Sequence, residues 1–296
     1  MKIILTGANG FLGQHASLFF ADKGFDVYAV SRNESRIPFH ENIFYQSIEL
    51  TNVSSVNKMV DQIKPDIIIH NAAMSKPDEC DQNKDACILH NVTATQYLVD
   101  AANKHGVLFI YISTDFIFGE NGPHPEDALP QPLNFYGKSK LMAEEFVKTF
   151  AFTYSIVRPV FIYGSYWEGM RPSFIQWVQQ NLAVGKSIKV VDDQFRTPTY
   201  MIDICKGIEQ IIVQKKHEIF HLAGPEILTP YAMAIQVAEI LALNAALVTK
   251  VDSLSFPEPV LRAKRSGLLI DKARQLLNYQ PLLFEEGVKL SFKNLL

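Results

Sequence analysis

The sequence has few cysteines, little net charge and no long apolar runs. Its three cysteines, Cys80, Cys87 and Cys205, lack the paired C-x-x-C spacing of zinc or redox sites, so we expect free or buried thiols in a reducing compartment. A formal net charge of −3 provides no basic field to attract nucleic acid or an anionic membrane surface. No apolar run approaches the roughly 18 residues of a membrane span, and no signal-peptide pattern precedes the first predicted strand. We therefore expect a cytoplasmic protein that binds neither nucleic acid nor membrane.

Several common catalytic signatures are also missing. Residues 137–139 and 185–187 both read Gly-Lys-Ser, like the end of a P-loop, but Pro132 and Gln180 occupy the positions of the leading glycine. The chain has neither the G-x-S-x-G elbow of serine hydrolases nor the H-E-x-x-H pattern of zinc proteases. These absences disfavour a kinase, an ATPase or a hydrolase, and we assign no metal ligands.

The first thirteen residues contain the strongest motif in the chain. Residues 3–6 predict a short buried strand, Gly7, Gly10 and Gly13 follow at three-residue spacing, and an apolar helical pattern comes next. Backbone N–H groups at such a turn, together with the helix dipole, favour a bound phosphate. Gly7 would allow the tight turn, Gly10 the close approach of a pyrophosphate and Gly13 the packing of helix on strand. The motif predicts a dinucleotide site, although three close glycines can also form an ordinary structural turn.

The end of the second predicted strand, residues 25–30, indicates which nicotinamide cofactor is used. An acidic residue at this place would bind the ribose 2′-hydroxyl, whereas a nearby arginine accommodates a 2′-phosphate. The chain has Ser31 and Arg32 there, with no Asp or Glu at the strand end. This favours NADPH over NADH. The alternative is that Arg32 is an ordinary solvated loop residue.

Strand and helix patterns alternate along the first half of the chain. The predicted strands cover residues 3–6, 25–30, 43–48, 67–70 and 107–112, with helices around 53–63, 86–105 and 136–148. This order predicts an α/β fold, a doubly wound parallel Rossmann sheet with ligands at the carboxyl ends of its strands. The uninterrupted apolar run 67–69 suits a sheet covered on both faces. We interpret His70, which follows it, as a hydrogen-bonded scaffold residue.

Tyr136 and Lys140 form a Y-x-x-x-K pattern, and their spacing places them on one helix face. A tyrosine has an unperturbed pKa of about 10, and a lysine ammonium nearby lowers it. Such a pair, following a glycine cradle and a Ser-Thr strand end, is typical of proton transfer. The alternative is an amphipathic helix on which both side chains are exposed.

These segments resemble the extended short-chain dehydrogenase/reductases, and more narrowly their dTDP-4-dehydrorhamnose reductase branch. The matching stretches are residues 6–13, 71–73, 91–95, 113–118, 136–140 and 196–200, with Asp203. They span most of the chain, and the Ser-Thr-Asp and Arg-Thr-Pro-Thr-Tyr stretches are the more specific to the branch.

The resemblance implies a role for each matched residue. Tyr136 would be the general acid, Lys140 would lower its pKa and hold the cofactor ribose, and Thr114, rather than Ser113, would hydrogen-bond the substrate carbonyl. The implied cofactor residues are Gly7, Asn9, Gly10, Phe11, Leu12, Gly13, Ser31, Arg32, Glu49, Leu50, Asn71, Ala72, Ala73, Asn91, Tyr136, Lys140 and Pro159. The implied substrate residues are Thr114, Asp115, Phe116, Phe161 and Arg196. In the wider family an arginine near Arg196 contacts the nucleotide diphosphate. After Arg158 the branch often has a Thr, a small residue and a Trp, but this chain has Pro159, Val160 and Phe161.

The second half of the chain predicts a smaller, split α/β substrate-binding domain. The boundaries are residues 1–163 plus about 199–223 for the NADP-binding domain, and about 164–198 and 224–296 for the smaller one. Residues 154–163 and 218–223 predict further strands of the main sheet. The basic residues Arg262, Lys264 and Arg265 predict either phosphate contacts or a solvated face, and we interpret Asp192-Asp193 as part of a loop.

The predicted activity is the NADPH-dependent reduction of a 4-keto-6-deoxy sugar nucleotide. One alternative is a sugar-nucleotide epimerase or dehydratase that retains its cofactor. Another is an NADP-binding regulatory subunit without turnover, because the resemblance extends to the regulatory subunit of methionine adenosyltransferase. The expected partner is a nucleotide sugar, and a homodimer is implied by the resemblance alone.

Overall fold

A computed structural model describes residues 1–256, 260–293 and 295. In these residues the strands are β1 (Lys2–Thr6), β2 (Asp26–Ser31), β3 (Ile43–Ser47), β4 (Ile67–His70), β5 (Leu108–Ile112), β6 (Tyr154–Arg158), β7 (Ile162–Tyr163), β8 (Ile188–Val191), β9 (Thr199–Tyr200), β10 (Ile219–His221) and β11 (Val248–Val251). Seven of these described strands form one parallel sheet in the order β10-β6-β5-β4-β1-β2-β3. The predicted doubly wound α/β fold is confirmed.

Helices connect the strands and cover the sheet. Over the same described residues they are α1 (Phe11–Asp22), α2 (Val53–Ile63), α3 (Pro77–Gln82), α4 (Lys84–Ile88), α5 (Ala94–His105), α6 (Phe135–Phe150), α7 (Phe174–Ala183), α8 (Met201–Val213), α9 (Pro230–Ile240), α10 (Asp271–Leu277) and α11 (Phe284–Ser291). None of the helices in this described part is long and apolar enough to cross a bilayer.

The position of the site follows from the strand order. From β1 the chain moves outward through β2 and β3, then returns to the other side of β1 at β4 and continues to β5, β6 and β10. The order therefore reverses between β1 and β4, and the crevice beyond their carboxyl ends is where ligands bind in such sheets. Gly7 and Asn71 follow these two strands directly.

Two apolar cores cover the sheet and a third lies beside it. One face packs against α1, α8 and α10, and the other against α2, α5 and α6. Strand β4 contributes to both, because Ile67 and Ile69 face the first core and Ile68 the second. This explains its continuous apolar run. The third core joins α7, α9 and α11 to the two-stranded pair of β8 and β11.

Three sequence predictions differ from the structure. The strand predicted over residues 154–163 ends at Arg158. Pro159 has no N–H to donate to a neighbouring strand of the sheet. Ile162–Tyr163 pairs instead with Thr199–Tyr200, outside the main sheet. The helix predicted over 86–105 is interrupted by a π-helical segment, Leu89–Thr93. Within the predicted second domain, α10 packs in the large core against α8 and β10. The remaining domain division stays a prediction.

Candidate active site

A cavity of about 790 Å³ opens at the carboxyl ends of the central strands. Its wall includes most of the residues that the sequence predicts for the site: Gly7, Gly10, Phe11, Leu12, Ser31, Arg32, Glu49, Leu50, Asn71, Ala72, Ala73, Thr114, Asp115, Phe116, Tyr136, Lys140, Pro159 and Phe161. Residues that lie far apart in the sequence thus share one wall. Gly13, Asn9 and Asn91 do not line this cavity, and Arg196 lines a smaller one next to it.

The glycine turn is shaped by close backbone contacts. Gly7 has a φ of +69°, and a Cβ built on it would stand 2.7 Å from the backbone nitrogen of Ala72. A Cβ on Gly13 would stand 2.1 Å from the carbonyl oxygen of Gly7, so α1 packs directly on the turn. Among the described residues no side chain caps α1 at Gly10. The first N–H groups of α1 are therefore available to an anion at the cavity wall.

Asn9 fixes the loop that carries Arg32. Its side-chain Nδ2 donates to the carbonyl oxygens of Arg32 at 3.1 Å and Glu34 at 2.8 Å, and its Oδ1 accepts from the Arg36 amide at 2.9 Å. Asn9 thereby connects the glycine turn to the loop after β2. Its position is that of a support for Arg32, whose exposed side chain lies at the cavity.

His70 organises the turn from behind. Its Nδ1 lies 2.7 Å from the Thr6 hydroxyl and its Nε2 lies 3.0 Å from the Thr95 hydroxyl, which itself donates to the Asn91 carbonyl. Burial, assisted by the charge of Lys140, lowers the pKa of His70 to about 3, so the ring is neutral at pH 7. The neutral ring then donates from Nε2 and accepts the Thr6 proton at Nδ1.

This arrangement leaves the Thr6 oxygen to accept from the backbone amides of Asn71 and Ala72, each at 3.1 Å. His70 therefore supports the cavity wall through Thr6. The prediction of a hydrogen-bonded scaffold is confirmed.

The start of α6 places Tyr136 beside Thr114. Asn134 caps the helix, because its Oδ1 accepts from the Gly137 amide at 3.0 Å. A Cβ on Gly137 would stand 2.1 Å from the Phe116 carbonyl oxygen, so the helix begins against the turn that follows Thr114. The rings of Phe116 and Tyr136 meet edge to face with centroids 5.4 Å apart.

The protonation of Tyr136 depends on its burial. Burial raises the pKa of Tyr136 well above its usual value, a hydrogen bond from Thr114 opposes the rise, and Asp115 adds to it. Burial thus dominates the pKa of Tyr136, and a lowering by Lys140 beside a bound nicotinamide stays a prediction. The phenol is protonated at neutral pH, which is the state a proton donor needs.

Lys140 lies deeper on the same helix face. Its ammonium donates to the Ile112 carbonyl oxygen at 2.7 Å and lies 4.1 Å from the centroid of the Tyr111 ring. The side chain is 2 % exposed, and burial lowers the pKa of Lys140 to about 7 while the charge of Glu144 raises it. Its protonation is therefore finely balanced near neutral pH.

Asn91 braces the wall behind Tyr136. Its Oδ1 accepts from the Met74 amide at 2.7 Å, and its Nδ2 donates to the Met74 carbonyl at 3.1 Å and to the Ser139 hydroxyl at 2.9 Å. Ser139 in turn donates to the Tyr136 carbonyl at 2.8 Å. The π-helical segment of Asn91 thus connects the loop after β4 to α6.

The three cysteines are free thiols, as predicted, and Cys80 and Cys87 pack around Tyr136.

Arg196 lines a smaller cavity next to the main one. Asp115 and Phe116 line both cavities. Its guanidinium donates to the Phe195 carbonyl at 2.8 Å and to Gln194 Oε1 at 3.1 Å. The side chain is 9 % exposed. A contact between Arg196 and a diphosphate stays a prediction.

The charged residues near the chain end form ion pairs. Arg262 pairs with Asp78 at 3.1 Å, and Lys264 pairs with Asp193 at 2.8 Å. Asp193 follows β8 in a loop, as predicted for Asp192-Asp193. Two of the three basic residues are thus paired with carboxylates.

Sequence reasoning missed several residues of the cavity wall. They include Met74, Ser75, Lys76, Glu79, His90 and Arg171. The first three continue the loop after Ala73, which a longer reading of that strand end could have found, and Glu79 lies in α3 just beyond it. Arg171 comes from the segment between β7 and α7 and has no local signal.

Within the described residues, the Ser113 hydroxyl at this wall is buried and has no hydrogen-bond partner. A polar ligand would satisfy it.

Known proteins resemble this chain over nearly its whole length. The family model described as RmlD substrate binding domain matches residues 1–296. A dTDP-4-dehydrorhamnose reductase of Aggregatibacter actinomycetemcomitans is 28% identical, with 97% of each chain covered. Methionine adenosyltransferase 2 subunit beta of Mus musculus is 27% identical over 98% of this chain and 86% of its own. A crystal structure of dTDP-4-dehydrorhamnose reductase from Bacillus anthracis in complex with NADP superposes with a TM-score of 0.88 at 27% identity, covering 99% of both chains.

Proposed function

This chain belongs to the RmlD substrate binding domain family of extended short-chain dehydrogenase/reductases, and from this premise we propose that it is an NADPH-dependent reductase of a 4-keto-6-deoxy sugar nucleotide. One observation carries the proposal. A protonated, buried Tyr136 stands beside the Thr114 hydroxyl at the wall of a cavity large enough for a dinucleotide and a sugar. A relative of similar length is a dTDP-4-dehydrorhamnose reductase.

The residues of the cavity fit a nicotinamide dinucleotide. The turn at Gly7 packs so closely on the backbone of Ala72 that a side chain at residue 7 would not fit. The uncapped start of α1 offers N–H groups to a diphosphate. Ser31 and Arg32 would hold the 2′-phosphate, and Lys140 would hold the nicotinamide ribose. When bound, NADPH supplies the hydride for reduction of the sugar ketone.

The chain's own contribution is proton donation and charge stabilisation. Tyr136 would donate its phenolic proton to the carbonyl oxygen of the sugar as that oxygen gains negative charge. The Thr114 hydroxyl would donate a hydrogen bond to the same oxygen, and the two donors together would stabilise the developing alkoxide. The ketone gains one hydride at carbon and one proton at oxygen, which gives a secondary alcohol.

The substrate assay follows absorbance at 340 nm with purified protein, NADPH and dTDP-4-keto-6-deoxy-sugar. We expect a loss of absorbance that requires both protein and sugar nucleotide. UDP- and GDP-linked 4-keto sugars, run in parallel, test which nucleotide the site accepts. No oxidation of NADPH by any of these ketones, in protein shown to bind NADPH, would contradict the proposal.

Two alternatives remain as outcomes of that assay. An epimerase or dehydratase would convert a sugar nucleotide without net consumption of NADPH. A regulatory role would give no turnover and a stable protein partner, a role suggested by the relationship to methionine adenosyltransferase 2 subunit beta. The arrangement of Thr114, Tyr136 and Lys140 argues against a subunit without turnover, and consumption of NADPH separates the reductase from the other enzymes. A cytoplasmic location and a homodimer stay predictions.

Arg32 is expected to determine the preference for NADPH. Replacing it with alanine removes a charged donor to the 2′-phosphate, and such hydrogen bonds contribute about 1.5–3 kcal/mol. The KM for NADPH should therefore rise about 10- to 100-fold. The KM for NADH, which has no 2′-phosphate, should change little.

Arg36 provides a matched control for Arg32. It is an exposed arginine of the same loop, anchored through its backbone amide to Asn9. Arg36→Ala should leave both KM values near those of the parent. Equal losses for NADPH and NADH in Arg32→Ala would contradict the assignment.

A further inference from the structure

Glu144 extends the functional face of α6 into the protein. Tyr136, Lys140 and Glu144 recur every four residues, so they lie along one side of the helix. The first two line the cavity, whereas Glu144 is 0% exposed and lies behind them. A buried carboxylate is costly unless it is paired, so its partner determines what it can do.

Arg158 is that partner. Its Nε donates to one carboxylate oxygen of Glu144 at 3.0 Å and its Nη2 to the other at 2.7 Å, which is a two-pronged ion pair. Arg158 is 2% exposed, ends β6 and directly precedes Pro159 of the cavity wall. Its Nη1 also donates to the Glu126 carbonyl oxygen at 3.1 Å. The carboxylate of Glu144 is thus held at a fixed place by two hydrogen bonds from one guanidinium group.

Lys140 needs a negative charge nearby. The ligands around its ammonium are the neutral Ile112 carbonyl and the face of the Tyr111 ring. Burial lowers the pKa of Lys140 to about 7, and the charge of Glu144 is the largest influence in the opposite direction, followed by Cys87. Without Glu144 the buried amine would lose its proton at a lower pH.

The neighbouring groups leave Glu144 as the principal fixed anion. The titratable groups that face Lys140 are Tyr111 of β5, His70 of β4, Cys87 of α4, and Tyr136 and Glu144 of α6. Glu144 is faced by Arg158 of β6. His221 of β10 and Glu126 lie on the far side of Arg158. Burial lowers the pKa of His70 and of His221 to about 3 and raises that of Tyr111, so all three are neutral near pH 7. The Cys87 thiol, with its pKa lowered to about 7 by Cys80, is the remaining titrating neighbour.

We infer that Glu144 and Arg158 are positioning residues of the reaction: Glu144 keeps the buried Lys140 ammonium charged, and Arg158 holds the Glu144 carboxylate where it does so. The inference rests on the proposed function for the role of Lys140 in cofactor binding and proton transfer. It goes beyond that function because it assigns a task to two residues buried behind the cavity wall.

The test is a direct titration of Lys140 by NMR, in protein labelled with ¹³C at the lysine Cε. The Lys140 signal is assigned from its loss in Lys140→Arg. A Cys87→Ser background removes the thiol that titrates in the same range. Two variants are compared with this parent: Glu144→Gln, and the double variant Glu144→Gln/Arg158→Met. The double variant leaves no uncompensated buried charge, because both members of the ion pair are replaced by neutral side chains.

The sign of the effect is fixed by the chemistry. Removing an anion disfavours the ammonium, so the titration midpoint of Lys140 should fall. We expect a fall of about one pH unit or more in Glu144→Gln, a tenfold change in the ionisation constant. In the double variant the Lys140 midpoint should also fall, but by a smaller amount, because the repulsion between Arg158 and the Lys140 ammonium is lost as well. The exposed neighbour Glu145, which pairs with Lys148, provides the control, and Glu145→Gln should leave the midpoint unchanged.

The double variant decides between the inference and a purely structural ion pair. A fall of about 0.5 pH units or more in its Lys140 midpoint supports the inference, and a smaller change overturns it. The titration needs no substrate, so its outcome is independent of whether the 340 nm assay finds a reductase. If turnover is found, the pH above which NADPH oxidation declines should move down together with the midpoint.

Discussion

Replacing Tyr136 with phenylalanine is expected to lower the turnover number for NADPH oxidation by about 10²- to 10⁴-fold, the range for loss of a positioned general acid. The phenylalanine keeps the ring that packs edge to face on Phe116, so the wall of the cavity should be preserved. Affinity for NADPH, measured by quenching of protein fluorescence, should stay within about threefold because binding does not use the proton. The loss should therefore appear in kcat.

Tyr111→Phe is the matched control. Tyr111 is a buried tyrosine of β5 whose hydroxyl has no hydrogen-bond partner among the described residues. Its removal should cost little turnover, and the ring beneath Lys140 is retained. Parent-like turnover in Tyr136→Phe would contradict the assignment of the general acid. An equal loss in both variants would point to packing rather than to proton transfer.

Lys140→Met is expected to impair binding and turnover together. Methionine fills a similar volume but removes the charge and the hydrogen bond to the Ile112 carbonyl oxygen. The dissociation constant of NADPH should rise about 10- to 100-fold, in line with the loss of one hydrogen bond from a charged group. The turnover number at saturating NADPH should fall by about 10²-fold or more, because no cation then supports the forming phenolate of Tyr136.

Lys138→Met provides the comparison for this variant. Lys138 is an exposed lysine on the same turn of α6, so its replacement removes a charge of the same type without touching the cavity wall. Its NADPH affinity and turnover should match the parent. A Lys140→Met protein with a normal dissociation constant and normal turnover would remove Lys140 from the site.

Much of the fold was encoded locally. The apolar run of β4 and the glycine spacing before α1 each contain the strand or turn signal within about ten residues, and alternation of strands and helices predicts a parallel sheet. The break after Arg158 was less visible, because its cause is the pairing of Ile162–Tyr163 with a strand that follows in the sequence much later. Such pairings depend on tertiary structure.

The candidate site shows the same division. Residues directly after strands, such as Ser31, Asn71 and Thr114, were predicted because parallel strands bring their carboxyl ends together. Arg171 reaches the wall from a distant segment and was missed. The rise in the pKa of Tyr136 was not predicted, since the sequence shows the spacing of Tyr136 and Lys140 but not the degree of burial. Burial depends on the whole chain.

Transfer of hydrogen from NADPH to the sugar carbonyl is tested most directly with NADPH carrying deuterium at the transferable position of C4. The protein is incubated with this cofactor and dTDP-4-keto-6-deoxy-sugar, and the products are analysed by mass spectrometry. A reductase gives one NADP for each sugar alcohol formed, and the alcohol contains one deuterium. Tyr136→Phe should give no detectable deuterated alcohol at the same time point. A sugar product without deuterium, or conversion without net loss of NADPH, would contradict the proposed function.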